Sequence, residues 1–186
     1  MPYTPFANQE YRNVVQTHFE IPALLRMCPI AAGSRILEIG CGRGIALLRL
    51  ASLCAPSRLA GLDVAPELIS VAHARLEHST RRAGQLQIEL VVGDARRLPF
   101  ADGSFDVVID FGTCYHIDEP DRALREVSRV LSRDGQFMHE SPLAQRIAHP
   151  FRTSGCALPW HAVPSLRAER DAILWATRRQ TSSVAR

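Results

Sequence analysis

Gly40, Gly42 and Gly44 stand at alternate positions in ILEIGCGRG, residues 36–44, directly after a run of branched apolar side chains carrying one acid, Glu38. Glycines at that spacing let a backbone turn tightly and let a ligand lie against it with no Cβ in the way. A carboxylate inside an apolar strand is costly unless it meets a partner, so Glu38 points to a polar or charged ligand. A dinucleotide fingerprint wants G-x-G-x-x-G ahead of a helix, with the pyrophosphate on the helix N-terminus. The spacing here is G-x-G-x-G, and an anion beside the turn suits a positively charged ligand better than a phosphate.

More groups able to do chemistry close the other apolar runs. Asp63 ends RLAGLDV, either as an acceptor for a ligand or as a cap for the helix that follows. Asp94 follows Gly93 in VVGDA, either in a site or as a turn residue. Asp110, Phe111 and Gly112 end FDVVIDFG, and the loop GTCYHIDEP beyond them holds His116, whose imidazole titrates near neutral pH. Tyr115 contacts a ligand or fills the core. His139 and Glu140 end QFMHE; successive strand residues face opposite ways, so one of the two can reach a site at that edge, and Glu140 is the candidate. Asp106 reads as a turn acid opening a strand.

These residues need elements to position them. Residues 1–30 read as a helical arm, with Tyr11, Val14, Val15 and Phe19 at helical spacing until Pro22 interrupts. Strands are expected at SRILEIG, RLAGLDV, LQIELVVGDA, FDVVIDFG and QFMHES. Helices are expected at GIALLRLASLC, at PELISVAHARLEHS behind Pro66, and at DRALREVSRVLS, whose Leu124, Val127, Val130 and Leu131 share a face. Strands alternating with helices imply a Rossmann-like, doubly wound α/β fold, mostly parallel, with helices on both faces. Residues 31–140 form that core. Residues 141–186 are a short C-terminal addition, with a possible helix at SPLAQRIAHPFR, a final strand at RDAILWATRRQ and a disordered tail. In open sheets of this kind a ligand sits outside the carboxyl ends of the strands.

The chain has 186 residues and a net charge of +3, and three arginines in the last nine residues leave the rest close to neutral. That is no footprint for nucleic acid. Five cysteines without a CxxC pair argue against a disulfide framework and against a metal site. No apolar run approaches ~18 residues and no leader opens the chain, so the expected compartment is the cytoplasm, as monomer or homodimer.

From Ser34 to Glu140 the stretches ILEIGCGRG, LAGLDVAPELI, VVGDARRLPFADGSFDVVID and ALREVSRVLSRDGQF resemble, in order and spacing, the class I S-adenosylmethionine-dependent methyltransferases. The ubiquinone/menaquinone-biosynthesis type of small-molecule methyltransferase is nearest in feel. The resemblance implies S-adenosyl-L-methionine as cofactor and S-adenosyl-L-homocysteine as product. It implies that Glu38, Gly40, Cys41, Gly42 and Gly44 hold the methionine end, and that Asp63, with Val64 beside it, accepts from the ribose hydroxyls. Asp94 would take the exocyclic amine of adenine, the Ala95 N–H would face the ring nitrogen, and Asp110 and Phe111 would stand beside the reacting methyl. The implied reaction is in-line transfer to a small-molecule acceptor, which needs nucleophile and methyl aligned at about 3–3.5 Å with water excluded. His116 is then the first candidate base, with Tyr115 and Glu140 candidates for acceptor contact, and the arm with Tyr3, Phe6 and Tyr11 a lid. Ala65 stands where the family often has serine, and nothing after Glu140 matches its usual final strand pair. A non-catalytic cofactor-binding scaffold of the same fold is the alternative.

Overall fold

The computed structural model describes residues 9–83, 87–140, 166–168 and 175–180. Five strands follow the expected runs: β1 (Arg35–Ile39), β2 (Arg58–Asp63), β3 (Ile88–Val92), β4 (Phe105–Asp110) and β5 (Leu131–Glu140). All pair in parallel, in the order β3-β2-β1-β4-β5. Parallel neighbours need crossovers, and α3 (Ile45–Cys54), α4 (Pro66–Ala83) and α5 (Pro120–Val130) supply three of them.

Period-two alternation sends the strand side chains to two cores. Leu37, Ile39, Leu62, Val108 and Phe137 pack with Leu124, Val127 and Val130 of α5. Ile36, Leu59, Val107, Ile109 and Met138 pack with Leu47 and Leu50 of α3 and with Ile21 and Leu24 of the N-terminal arm. Burying each such side chain contributes about 1.5–3 kcal/mol, so both faces hold the sheet.

Four expectations are corrected. Pro22 does not interrupt the helical run: α1 (Gln9–Val15) passes through a π turn (Gln16–Glu20) into α2 (Ile21–Met27), with Pro22 in the first turn of α2. The Ile21 N–H donates to the Gln16 carbonyl; the wider turn accommodates a ring that lacks an N–H and would crowd the preceding carbonyl. Helix α5 stops at Val130, and Leu131 begins β5 yet stays buried in the same core. At the C-terminus two strands stand where one was expected. β6 (Leu166–Ala168) and β7 (Trp175–Gln180) pair antiparallel, and β7 also lies antiparallel to β5. Ile173, Leu174, the helix expected near residue 141, and the tail after Gln180 lie outside the described residues, as do Tyr3 and Phe6.

Asp106 is a strand residue rather than a turn acid. It accepts the Arg35 backbone N–H at 2.9 Å and faces the Arg35 guanidinium at 2.7 Å, fastening β4 to β1. Among the described residues no helix is long and apolar enough to cross a membrane.

Candidate functional site

A cavity of about 340 Å³ opens at the carboxyl ends of β1, β2, β3 and β4, roofed in part by Asn13 and Gln16 of the arm. Strand order reverses beside β1, which is where an open sheet leaves a crevice between loops leading to opposite faces.

The three glycines of the turn serve three different surroundings. Gly42 lines the cavity, and a Cβ added there would meet nothing within 4 Å. At Gly40 an added Cβ would lie 1.7 Å from Thr113 Oγ1, so that glycine lets the loop after β4 close onto β1. Gly44 does not line the cavity; it faces Ala72 of α4, whose Cβ would be 3.1 Å away. The sequence reading put Gly44 at the ligand, but helix packing accounts for it.

Glu38 is 1% exposed and reaches the cavity from mid-strand, and its buried Oε2 accepts no hydrogen bond among the described residues. Asp63, also buried, accepts the Gly42 N–H at 2.8 Å on one oxygen and the Ala65 N–H at 2.9 Å on the other. It is thus an Asx turn ahead of α4 as well as part of the cavity wall. Each carboxylate oxygen keeps capacity for a second donor. Burial, with the charges of Glu38 and Asp63, pushes the Cys41 thiol up, so it lines the cavity as a neutral group.

Asp94 lines the cavity with Ala95. Its carboxylate accepts the Arg96 N–H at 2.8 Å and is gripped by the Arg96 guanidinium at 2.6 Å, which holds it below the usual carboxylate range. Arg96 also reaches Glu119 at 3.8 Å, so it spans the loops after β3 and β4. Val64, Phe111 and His116 complete the expected set in the cavity, His116 on its exposed side.

Other expected residues stand elsewhere. Asp110 is fully buried and outside the cavity lining; its carboxylate takes the backbone N–H groups of Thr113 and Cys114, and burial raises its pKa. It therefore shapes the one-turn 3₁₀ helix (Thr113–Tyr115) that leads to His116. Tyr115 is 6% exposed and packs in the core against the sheet, which explains it without a ligand. Glu140 ends β5, and its side chain lies outside the described residues. The reading missed Asn13, Gln16, Arg43, Thr113 and Asp118 in the lining. Only Asn13 and Gln16 left a trace, as polar residues three apart on a helix. Among the described residues no His, Cys, Asp and Glu cluster could hold a metal ion.

The sequence pattern of the methyltransferase-domain family matches residues 37–139, more than half of the chain. The chain belongs to the class I S-adenosylmethionine-dependent methyltransferases. A fatty-acid O-methyltransferase of Mycolicibacterium smegmatis is 36% identical over 107 residues, covering 58% of this chain and 36% of that protein. A demethylmenaquinone methyltransferase of Lactobacillus johnsonii is 35% identical over 109 residues, covering 58% and 43%. The chain therefore spans less than half the length of these curated relatives. A SAM-dependent methyltransferase structure from Aquifex aeolicus superposes with a TM-score of 0.70 at 16% identity, covering 90% of this chain and 93% of that one, and shares the fold. S-adenosyl-L-methionine is the cofactor of this methyltransferase family. The cavity fits it: the turn is open at Gly42, a buried Glu38 oxygen lacks a donor, and Asp63 can accept more.

Proposed function

We propose that this chain binds S-adenosyl-L-methionine in the cavity and transfers a methyl group to a small-molecule acceptor. The observation that carries the reading is the juxtaposition of Glu38 and Asp63 beneath a turn whose Gly42 leaves its Cβ direction open. In this proposal Glu38 and the backbone of Gly40–Gly42 hold the amino-acid end, and Asp63 accepts from the ribose hydroxyls. Asp94 meets the adenine amine while keeping its pairing with Arg96, since a carboxylate has acceptor sites for both.

When bound, the cofactor supplies an electrophilic methyl carbon on a sulfonium. What the protein adds first is alignment and the exclusion of water, which lower the barrier to in-line displacement. The described part of the arm contributes Asn13 and Gln16 to the cavity wall and assists that exclusion. His116 is an exposed titratable side chain in the cavity lining and accepts the proton from an acceptor that must lose one. Phe111 and Ile117 offer apolar walls to the acceptor. The proposed setting is the cytoplasm, with no nucleic-acid partner, as the near-neutral body of the domain suits.

Transfer of labelled methyl from S-adenosyl-L-methionine to a panel of phenols, quinols and carboxylic acids tests the proposal. Transfer to one class supports it. Cofactor binding with no transfer to any of them favours the scaffold reading instead.

A further inference from the structure

Arg43 occupies the position between Gly42 and Gly44 and lines the cavity beside Glu38. The other guanidinium in the lining, Arg96, is committed to Asp94 at 2.6 Å and to Glu119 at 3.8 Å. Arg43 is not so committed. Among the described residues no carboxylate lies within ion-pair distance of it, and its buried Nε has no hydrogen-bond partner. Its carbonyl instead accepts a hydrogen bond from the Arg75 Nη1 at 2.7 Å, which brings a second cation up behind it. Burial, and then the charge of Arg43, hold the Arg75 pKa down.

Arg43 thus brings a positive charge to a cavity edged by the carboxylates of Glu38, Asp63, Asp94 and Asp118. A buried guanidinium N–H left without an acceptor is costly, and a planar carboxylate can engage Nε and Nη together. We propose that Arg43 is the anion-binding residue of this cavity and takes a carboxylate. This rests on the function proposed above. The carboxylate has two possible sources: the amino-acid end of the cofactor, whose ammonium and carboxylate would then face Glu38 and Arg43 respectively, or an acidic acceptor whose apolar remainder lies along Phe111 and Ile117.

The test compares wild type with Arg43→Gln by calorimetric titration, after thermal melts show both folded. The ligands are S-adenosylhomocysteine, 5′-methylthioadenosine (the same nucleoside sulfide without the amino-acid carboxylate) and decanoate, the last with and without saturating S-adenosylhomocysteine. A roughly ten- to hundredfold loss for S-adenosylhomocysteine, with methylthioadenosine unchanged, supports the proposal and assigns the carboxylate to the cofactor. Unchanged adenosyl binding with loss of decanoate binding supports it and assigns the carboxylate to the acceptor. The proposal is overturned if all three ligands bind both proteins alike, or if methylthioadenosine weakens as much as S-adenosylhomocysteine. Wild-type protein that takes neither adenosyl ligand strikes at the proposed function itself, and the decanoate titration without cofactor then decides Arg43 alone.

Discussion

The backbone N–H of Gly42 donates to Asp63 at 2.8 Å, joining the turn after β1 to the end of β2. The other oxygen of the same carboxylate holds the Ala65 N–H. One side chain thus fixes two walls of the cavity and still faces into it. Asp63→Ala is expected to weaken S-adenosylhomocysteine binding by about 2–3 kcal/mol through lost charge-assisted hydrogen bonds. It should also lower the melting temperature, because two backbone N–H groups lose their acceptor. Calorimetry and thermal melts on the same sample separate the effects. Full affinity in the variant would remove Asp63 from the cofactor.

The glycines make a second, sharper contrast. Gly40→Ala forces a methyl into Thr113 at a positive φ of 66°, and should cost more than about 3 kcal/mol of stability. Gly42→Ala meets no atom, so the left-handed backbone alone should cost about 1–2 kcal/mol, while the new methyl projects where the ligand must lie. The expected pattern is a large drop in melting temperature for the first and a large drop in cofactor affinity for the second. Equal losses of both kinds in both variants would contradict the assignment.

The fold was legible because parallel, doubly wound sheets leave the same signal everywhere: buried apolar runs, turn residues at their ends, amphipathic helices between. The site was legible only in part. Glu38 and Asp63 were readable because a carboxylate at the end of, or inside, an apolar run has few other uses. Asp110 looked identical in sequence, yet it turns inward to the N–H groups of Thr113 and Cys114. Nothing in a strand-end Asp says whether the chain beyond it will fold back over it. The segments that carried the family resemblance owe much of their form to structure. Arg129 of REVSRV meets Glu126 and Asp102 at 2.7 Å each and donates to the carbonyls of Leu98 and Phe100. It staples LPFADG to α5 and lies outside the cavity lining. β6 escaped because a three-residue edge strand carries too little pattern to be read, whereas β7 falls within the strand expected at RDAILWATRRQ.

A pH prediction rests on Arg35 and Asp106. The guanidinium holds the Asp106 pKa down to about 2 from its ordinary 3.8. A folded-state pKa below the unfolded one gives stability that is full above the unfolded value and is lost as pH falls through the folded value. The contribution of this pair should therefore persist at pH 5 and above and fade between about pH 4 and pH 2. Both side chains are 37% exposed, so solvent screening keeps the effect small, about 1 kcal/mol or less. Asp106→Asn should melt a few degrees below wild type at pH 7, with the gap closing at pH 2–3. A gap that widened in acid would contradict the sign.

His116 separates chemistry from binding. If it takes the proton of the acceptor, His116→Ala should slow turnover ~10²-fold or more and leave S-adenosylhomocysteine affinity unchanged. A wild-type rate would make it a surface residue of the loop that Asp110 shapes, and a fall in affinity without a fall in rate would place it at the cofactor instead.

The central claim is that this cavity takes an adenosyl sulfur ligand, and the direct test is calorimetric titration of the purified protein with S-adenosyl-L-methionine and S-adenosyl-L-homocysteine, with NAD as control. The account predicts micromolar binding of both adenosyl ligands at one site per chain, no heat from NAD, and loss of binding in Asp63→Ala. Binding of NAD in place of the adenosyl ligands, or no binding of either in a folded sample, would contradict it.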